Sequence, residues 1–432
     1  MPLLSAEVAL DPIEGSWKRN WSILVEGSQI IDAGHQDDML AKYPSYEKIG
    51  GRGRLMMPAL VNSHTHLPMT LLRSLCPIID MQEWFDKVVY PRERVLDRRM
   101  VEIGAKVALA EMALDGVCGF VDMYFMEDAV IKAGQTVGLK GVYTYGLVDN
   151  GSEEKAEKEL ATARSLYKLV HELGRPDVKT AIAPHSIYTC SPELLRKAAQ
   201  LAAELSLPLH IHLAERADEG KLAERNFGTR FTGYADYVSS LGMMASNLLC
   251  FHGTHLTRRD VEMFRRAGSQ VVVNPTSNMR LKNGAPPMGL LADGKVLFGL
   301  GTDGACSNDE QSVLRELKVA ALVSGLTGSS TIDEWTLLKA ATSPMSTLFG
   351  DTVGLGKGCK ANIALYKMSL GFNGVGDPAK GVIFSPGGLR CEHLLVDGKD
   401  VVRQFSLVNV SADSLIEDYN SAVRALESKV GG

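Results

Sequence analysis

Between about residue 56 and residue 305 the chain repeats one unit: a short apolar run ending in polar residues, then a longer segment with helical spacing. The runs are 57–66, 118–124, 141–149, 179–185, 207–215, 247–255, 270–277 and 296–303. Strands that alternate with helices return in the same direction and form a parallel sheet. Eight such units are what a (β/α)8 barrel needs. The intervening segments carry helix signals. Residues 100–114 place Ala, Met and Leu at helical spacing, and 191–205 opens Ser-Pro-Glu, a capping serine with proline and an acid in the first turn. Every run ends in chemistry-capable residues on its C-terminal side, where such barrels keep their active sites.

The flanks have a different texture. Residues 1–55 hold short alternating runs broken by turn residues, such as Trp21-Ser22-Ile23-Leu24-Val25 before Glu26-Gly27-Ser28. The stretch 356–412 behaves likewise, and 411–430 has the pattern of a helix. The expected fold class is therefore α/β: a TIM barrel over 56–355, with a small β-sandwich assembled from 1–55 and 356–432. A net charge of −5 leaves no basic footprint for nucleic acid or an anionic membrane. No apolar run approaches a membrane span, and the N-terminal residues lack the basic start and apolar core of a secretory signal. Seven cysteines, odd in number and without CxxC spacing, argue against a disulfide framework and for a reducing cytoplasm.

The first run ends Asn62-Ser63-His64-Thr65-His66. Residues i and i+2 of a strand point the same way, so His64 and His66 aim at one point, as a divalent metal site requires. The fifth run, Leu209-His210-Ile211-His212-Leu213-Ala214-Glu215, supplies a third imidazole. His212, nearer the strand end, is the better candidate, and His210 lies deeper as a packing residue. The eighth run ends Gly301-Thr302-Asp303, which puts a carboxylate at the barrel mouth. Three imidazoles and one carboxylate leave room for a water, as a catalytic metal does. His252 and His185 end the sixth and fourth runs. One strand-end histidine means little, but seven of the ten histidines lie at the ends of only four runs. His35, His171 and His393 are expected on the surface, and Arg73 and Glu83 in the scaffold. Asp122, ending the second run, reads equally as a partner of the site or as a structural cap.

The same residues resemble the mononuclear deaminase branch of the amidohydrolase superfamily, along nearly the whole chain. No strand-end lysine stands where the binuclear branch carries its bridging lysine. Carried over position by position, the resemblance implies His64, His66, His212 and Asp303 as ligands of one divalent ion, zinc or alternatively iron. Glu215 matches the glutamate of the HxxE element, and His252 the strand-six histidine beside the attacking water. Asp303 shares in the proton transfer. The segments His64-Thr65-His66-Leu67-Pro68-Met69, Phe120-Val121-Asp122-Met123-Tyr124-Phe125, Pro184-His185-Ser186-Ile187-Tyr188-Thr189-Cys190 and Gly301-Thr302-Asp303-Gly304-Ala305 are similar to the S-adenosylhomocysteine/5′-methylthioadenosine deaminase group.

That resemblance implies Trp84 stacking on a nucleoside, Glu93 holding ribose hydroxyls, and His185 with Glu215 contacting the purine. It implies hydrolytic deamination of an adenine nucleoside to the inosine derivative and ammonia, by a homodimer or tetramer. Tyr145 and Lys155 stand near the places where the group carries arginines for the homocysteine carboxylate. This departure weakens S-adenosylhomocysteine and leaves methylthioadenosine, adenosine and 5′-deoxyadenosine open. In the sandwich, Asn362 stands where relatives often have Asp. A deaminase or chlorohydrolase of another aminated heterocycle (guanine, a pterin, a triazine) is the alternative within this architecture. A catalytically silent barrel used as a scaffold is the alternative from another class.

Overall fold

A computed structural model describes residues 2–327, 332–372 and 376–431. Eight parallel strand positions form the central ring. The first three strands are Leu60–His66, Val117–Tyr124 and Lys140–Leu147, and the fourth comes in two pieces, Val178–Thr180 and Ala183–Pro184. Leu209–Leu213, Leu248–His252 and Gln270–Val273 follow as strands five to seven. The eighth is again broken, into Phe298–Leu300 and Asp303–Gly304. Isolated parallel bridges Ile182–Leu209 and Ser186–His212 join the fourth strand to the fifth. The ring closes where Asp303 pairs with Thr65 and Gly304 with His66.

The broken eighth strand matters for the site. Its two pieces are tied to the first strand by side chains. The Asn62 amide donates to the Thr302 hydroxyl at 2.7 Å, and its oxygen accepts the Thr302 N–H at 3.0 Å. The chain crosses so close to His64 that a Cβ on Gly301 would sit 2.8 Å from the His64 backbone nitrogen. Only glycine fits that crossing.

The strand runs of the sequence are recovered with shifted ends. The run beginning at Met57 merges two elements: Glu47–Pro58 belongs to the terminal sheet, and the barrel strand starts at Leu60. The residues on either side of the junction, Leu55–Pro58 and Leu60–Val61, are buried and apolar, so no polarity change marks the passage between the two elements. The run through Ser277 also overshoots. Proline at its first position starts the helix Pro275–Arg280 directly after the strand. The helix Pro192–Glu204 begins as read, with the Ser191 hydroxyl accepting the Leu194 N–H.

Both chain ends enter one eight-stranded sheet, in which Ile363–Met368 pairs antiparallel with Glu47–Pro58. Leu4 and Ile23 from the first end and Ile363 and Leu395 from the second pack in one apolar cluster. His393, expected on the surface, is only 5% exposed. It lies on Leu389–Val396, where successive residues from Cys391 to Val396 are all buried, so both faces are covered and alternation there does not mark a solvent face. His35 and His171 are exposed as read. The seven cysteines are unpaired, and no helix among the described residues is long and apolar enough to cross a membrane.

Barrel and sheet meet at a buried ion cluster. Lys140 Nζ lies 2.7 Å from Asp351 and 3.2 Å from Asp397. Asn362 donates to Asp351 at 2.8 Å and accepts the Asp397 N–H at 2.7 Å. An amide serves both contacts, whereas aspartate there would place a third carboxylate beside Asp351; this accounts for Asn362. Removing one partner from a buried pair strands the other charge, at a cost of about 3 kcal/mol or more. Lys140→Met is therefore expected to lower stability by about that amount, read as a fall in the urea midpoint. An unchanged midpoint would show that the cluster contributes no net stability.

Candidate active site

At the C-terminal mouth of the ring, strand ends from across the barrel bring their side chains together. One ligand atom each from His64, His66 and Asp303 falls within a mutual 4.8 Å, and so does one each from His64, His212 and His252. Asp303 Oδ1 is 3.2 Å from His66 Nε2 and 3.6 Å from His64 Nε2. The ring centroids of His212 lie 4.9 Å from His64 and 5.4 Å from His66. The two groups share His64: one holds three of the four expected ligands, and the fourth, His212, falls in the other with His252. Two of these residues, His252 (φ 72°) and Asp303 (φ 62°), hold left-handed backbone, as does Ala214 (φ 56°) before Glu215. Such conformations cost on the order of 1 kcal/mol or more and collect at functional sites.

The outer ring nitrogens are anchored. His66 Nδ1 donates to the Met123 carbonyl and His212 Nδ1 to the His185 carbonyl at 2.9 Å. His252 Nδ1 faces the Asn278 side-chain oxygen at 2.7 Å. These contacts place the proton on Nδ1 and turn Nε2 inward, as metal-binding imidazoles require. His64 differs. It is fully buried, stacked on Phe251 at 3.9 Å, and neither ring nitrogen has a hydrogen-bond partner among the described residues. Buried polar atoms rarely stay unpaired, and a cation at the cluster centre would satisfy the His64 nitrogen that faces it, Nε2, 3.6 Å from Asp303.

The electrostatics agree. Burial holds His64 well below its ordinary value, helped by His66. Burial also pulls on His66, but the Asp303 carboxylate more than offsets it and carries His66 up to about 9. A divalent ion would take the place of that proton. Asp303 itself stays well below the carboxylate range: burial pushes it up, and the contact with His66 outweighs that. Its other oxygen accepts from the hydroxyls of Ser277 (2.5 Å) and Ser307 (3.1 Å). Ser307 carried no signal in the sequence and Ser277 only its place at the end of the seventh run, since each acts through a contact made only by the fold.

Glu215 is 3% exposed. Its Oε1 accepts from Asn283 at 3.1 Å and lies 3.8 Å from His252 Nε2. Burial, and then the Asp303 charge, raise the Glu215 carboxyl to about 8, which leaves it protonated at neutral pH. His185 is driven the other way by burial, to about 4. His210 is buried and packs edge-on against Phe251, the packing role expected of it. Asp122 Oδ1 accepts from the Thr65 hydroxyl (2.8 Å) and the Leu67 N–H (2.7 Å), on either side of His66, so it braces the backbone that carries that imidazole. Arg73 pairs with both oxygens of Glu111, a scaffold contact, and Glu83 pairs with Lys87 on the surface.

A cavity of about 500 Å³ opens over these groups and is lined by His66, His185, His212, Glu215, His252 and Asp303 at one end. Trp84, Phe85, Tyr90 and Glu93 form a wall. That wall is one continuous helical segment, Met81–Trp84, a π-turn at Phe85–Val89, then Tyr90–Glu93. π-turns inside helices often mark functional sites. Trp84 Nε1 donates to Cys306 Sγ at 3.2 Å, tying the wall to the segment after Asp303. Burial pushes Glu93 up to about 7. From behind, Arg92 makes a two-pronged contact with Glu427 of the C-terminal helix Ala412–Gly431. Tyr145, Lys155 and Glu159 line the cavity too, with Arg94, a cation that sequence reasoning missed.

A closed eight-stranded parallel ring with imidazoles and an aspartate at its mouth defines a metal-assisted hydrolase. The chain belongs to the amidohydrolase family, whose model matches residues 55–400, and with it comes the metal dependence of that family. It is 32% identical to a 5-methylthioadenosine/S-adenosylhomocysteine deaminase of Pyrococcus abyssi, over 92% of this chain and 93% of that protein. It is 31% identical to a 5'-deoxyadenosine deaminase of Methanosphaera stadtmanae, over 88% and 89%. Its fold is that of an adenosine deaminase from Xanthomonas campestris solved with bound zinc, with a TM-score of 0.90, 24% identity, and 99% and 98% of the two chains covered.

Proposed function

We propose that this protein is a hydrolytic deaminase that converts an adenine nucleoside and water to the inosine derivative and ammonia. The observation that carries this reading is the buried Glu215–His252 pair, 3.8 Å apart, facing the imidazole–carboxylate cluster at the floor of a nucleoside-sized cavity. The names of the curated relatives support the same substrate class.

His64, His66, His212 and Asp303 hold one divalent ion in this reading, zinc, with iron suited to the same ligands. When bound, the ion supplies Lewis acidity and brings the pKa of a water toward neutrality. His252 and Asp303 take the proton released as water attacks the amine-bearing ring carbon. Glu215, protonated beforehand, donates to the adjacent ring nitrogen, so negative charge does not accumulate on the ring. Left as a carboxylate, Glu215 takes up the proton of the new hydroxyl group and passes it to the departing amine; ammonia leaves as the carbonyl forms, and the proton held by His252 and Asp303 returns Glu215 to its protonated state. Trp84 stacks on the purine, Glu93 accepts from the ribose hydroxyls, and His185 contacts the base.

Tyr145 and Lys155 both line the cavity; in the resemblance they stand at and near the places of an arginine pair, which favours methylthioadenosine, adenosine or 5′-deoxyadenosine over S-adenosylhomocysteine. Unpaired cysteines suit the cytoplasm as its location. The test is ammonia release across adenosine, 5′-methylthioadenosine, 5′-deoxyadenosine, S-adenosylhomocysteine, guanine, a pterin and a triazine, with metal analysis of the purified protein. Turnover of an adenine nucleoside by protein carrying one equivalent of metal is expected. Turnover of only the last three compounds, or full activity without metal, would overturn the reading.

A further inference from the structure

We infer that Glu219 and Asn283 are positioning residues that hold Glu215 in place, Glu219 through its main chain and Asn283 through its carboxyl group. The inference rests on the acid–base role proposed for Glu215.

The turn after the fifth strand is strained, because Ala214 adopts φ 56° without being glycine. A non-glycine residue in that region needs surrounding contacts to stay there. One contact is the Ala214 carbonyl, which accepts the His255 N–H at 2.8 Å. The other is the Glu215 N–H, which donates to Glu219 Oε2 at 2.9 Å. Glu219 is fully buried at the start of the helix Glu219–Phe227, and its Oε1 has no partner among the described residues. Leaving a buried polar atom unpaired costs on the order of 1–3 kcal/mol. A residue serving only as the start of a surface helix has no need of such a placement. Burial, reinforced by Glu215, holds the Glu219 carboxyl well above its ordinary range. That shift favours the neutral acid, which accepts the N–H without placing a charge beside Glu215.

Asn283 works from the opposite side. It is 8% exposed, with Nδ2 3.1 Å from Glu215 Oε1 and 3.5 Å from Met81 Sδ at the start of the Trp84 segment. Its own N–H donates to the Asn278 carbonyl at 2.8 Å, and the Asn278 side chain is the one that meets His252. Lys282 (φ 57°) and Gly284 (φ 109°) fold the loop on either side of it. One short segment, 278–283, thus orients both Glu215 and His252.

The test uses the full-length metal-loaded protein with Glu219→Ala, Glu219→Gln and Asn283→Ala. Misplacing a reacting group by about 1 Å costs on the order of 10²-fold. Glu219→Ala and Asn283→Ala are expected to lower kcat about 10- to 100-fold, with KM within about threefold and the metal content unchanged. Glu219→Gln should recover most of the loss, since its carbonyl accepts the same N–H. Placed on top of Glu215→Gln, Glu219→Ala should cost little more, because residues acting as a unit are not additive. Hydrogen exchange of the peptide over 209–218 should quicken in Glu219→Ala and not in Glu219→Gln. Wild-type kcat in both alanine variants, or loss of metal with no recovery by glutamine, would overturn the inference. If the wild-type protein deaminates none of the nucleosides, the functional reading fails separately. The exchange measurement then decides alone, and unchanged exchange in Glu219→Ala refutes the positioning role.

Discussion

Glu215→Gln is expected to lower turnover about 10²- to 10⁴-fold, the range that positioned general acid–base groups contribute, while the protein keeps its metal. Glutamine has the same shape and can still accept from Asn283, as Glu215 does at 3.1 Å. It adds no cavity and leaves no partner stranded. What it lacks is an ionisable proton. Burial and the Asp303 charge hold the Glu215 carboxyl up near 8, so it is loaded with a proton at neutral pH. An amide offers a hydrogen bond to a ring nitrogen but cannot release a proton to it or carry one on to departing ammonia. The variant should therefore bind nucleoside with nearly unchanged KM and stall in the chemical step. Single-turnover kinetics beside metal analysis distinguish this from a folding defect. Wild-type turnover in Glu215→Gln, with metal in place, would remove Glu215 from the mechanism.

How far the site was legible in the sequence follows from where each group lies. His64, His66, His212, His252 and Asp303 sit at strand ends, where period-two alternation and the barrel's polarity tell a reader which way side chains face. Helix 192–204 was legible because serine, proline and an acid mark its start locally. The supporting residues carried no such mark. Ser277 and Ser307 reach Asp303, Asn278 reaches His252, and Asn283 reaches Glu215 from a loop 68 positions later in the chain. A polar residue in a loop has no periodicity to read, and its partner is chosen by the closed ring. The same limit explains His393. Alternation separates core from solvent only where one face of a sheet is wet, and that strand is buried on both faces from Cys391 to Val396.

The proposed ligand set makes the second large prediction, because Asp303 is its only anion. Asp303→Asn keeps the volume and the hydroxyl contacts from Ser277 and Ser307 within reach, yet it removes the charge that faces His64 and His66 at 3.6 and 3.2 Å. Imidazoles bring no negative charge, so without Asp303 a divalent cation is left uncompensated in a buried site. Altering a residue one step removed from a metal already weakens affinity about 10- to 100-fold, so losing this carboxylate should weaken it by at least about 100-fold. Turnover should fall to background, because Asp303 is also a proton acceptor in the proposed chemistry. Metal binding stabilises a folded protein by RT ln(1 + [L]/Kd), or about 2.7 kcal/mol at a hundredfold excess over Kd. Added zinc should thus raise the unfolding midpoint of the wild-type protein and leave that of Asp303→Asn nearly unmoved. Ser277→Ala, which loosens only the far oxygen, should fall between the two. If Asp303→Asn purifies with one equivalent of metal and shows the full zinc-dependent shift, the carboxylate is not a ligand. The imidazoles of His64, His66, His212 and His252 would then have to hold the ion by themselves, leaving Asp303 as a proton acceptor only.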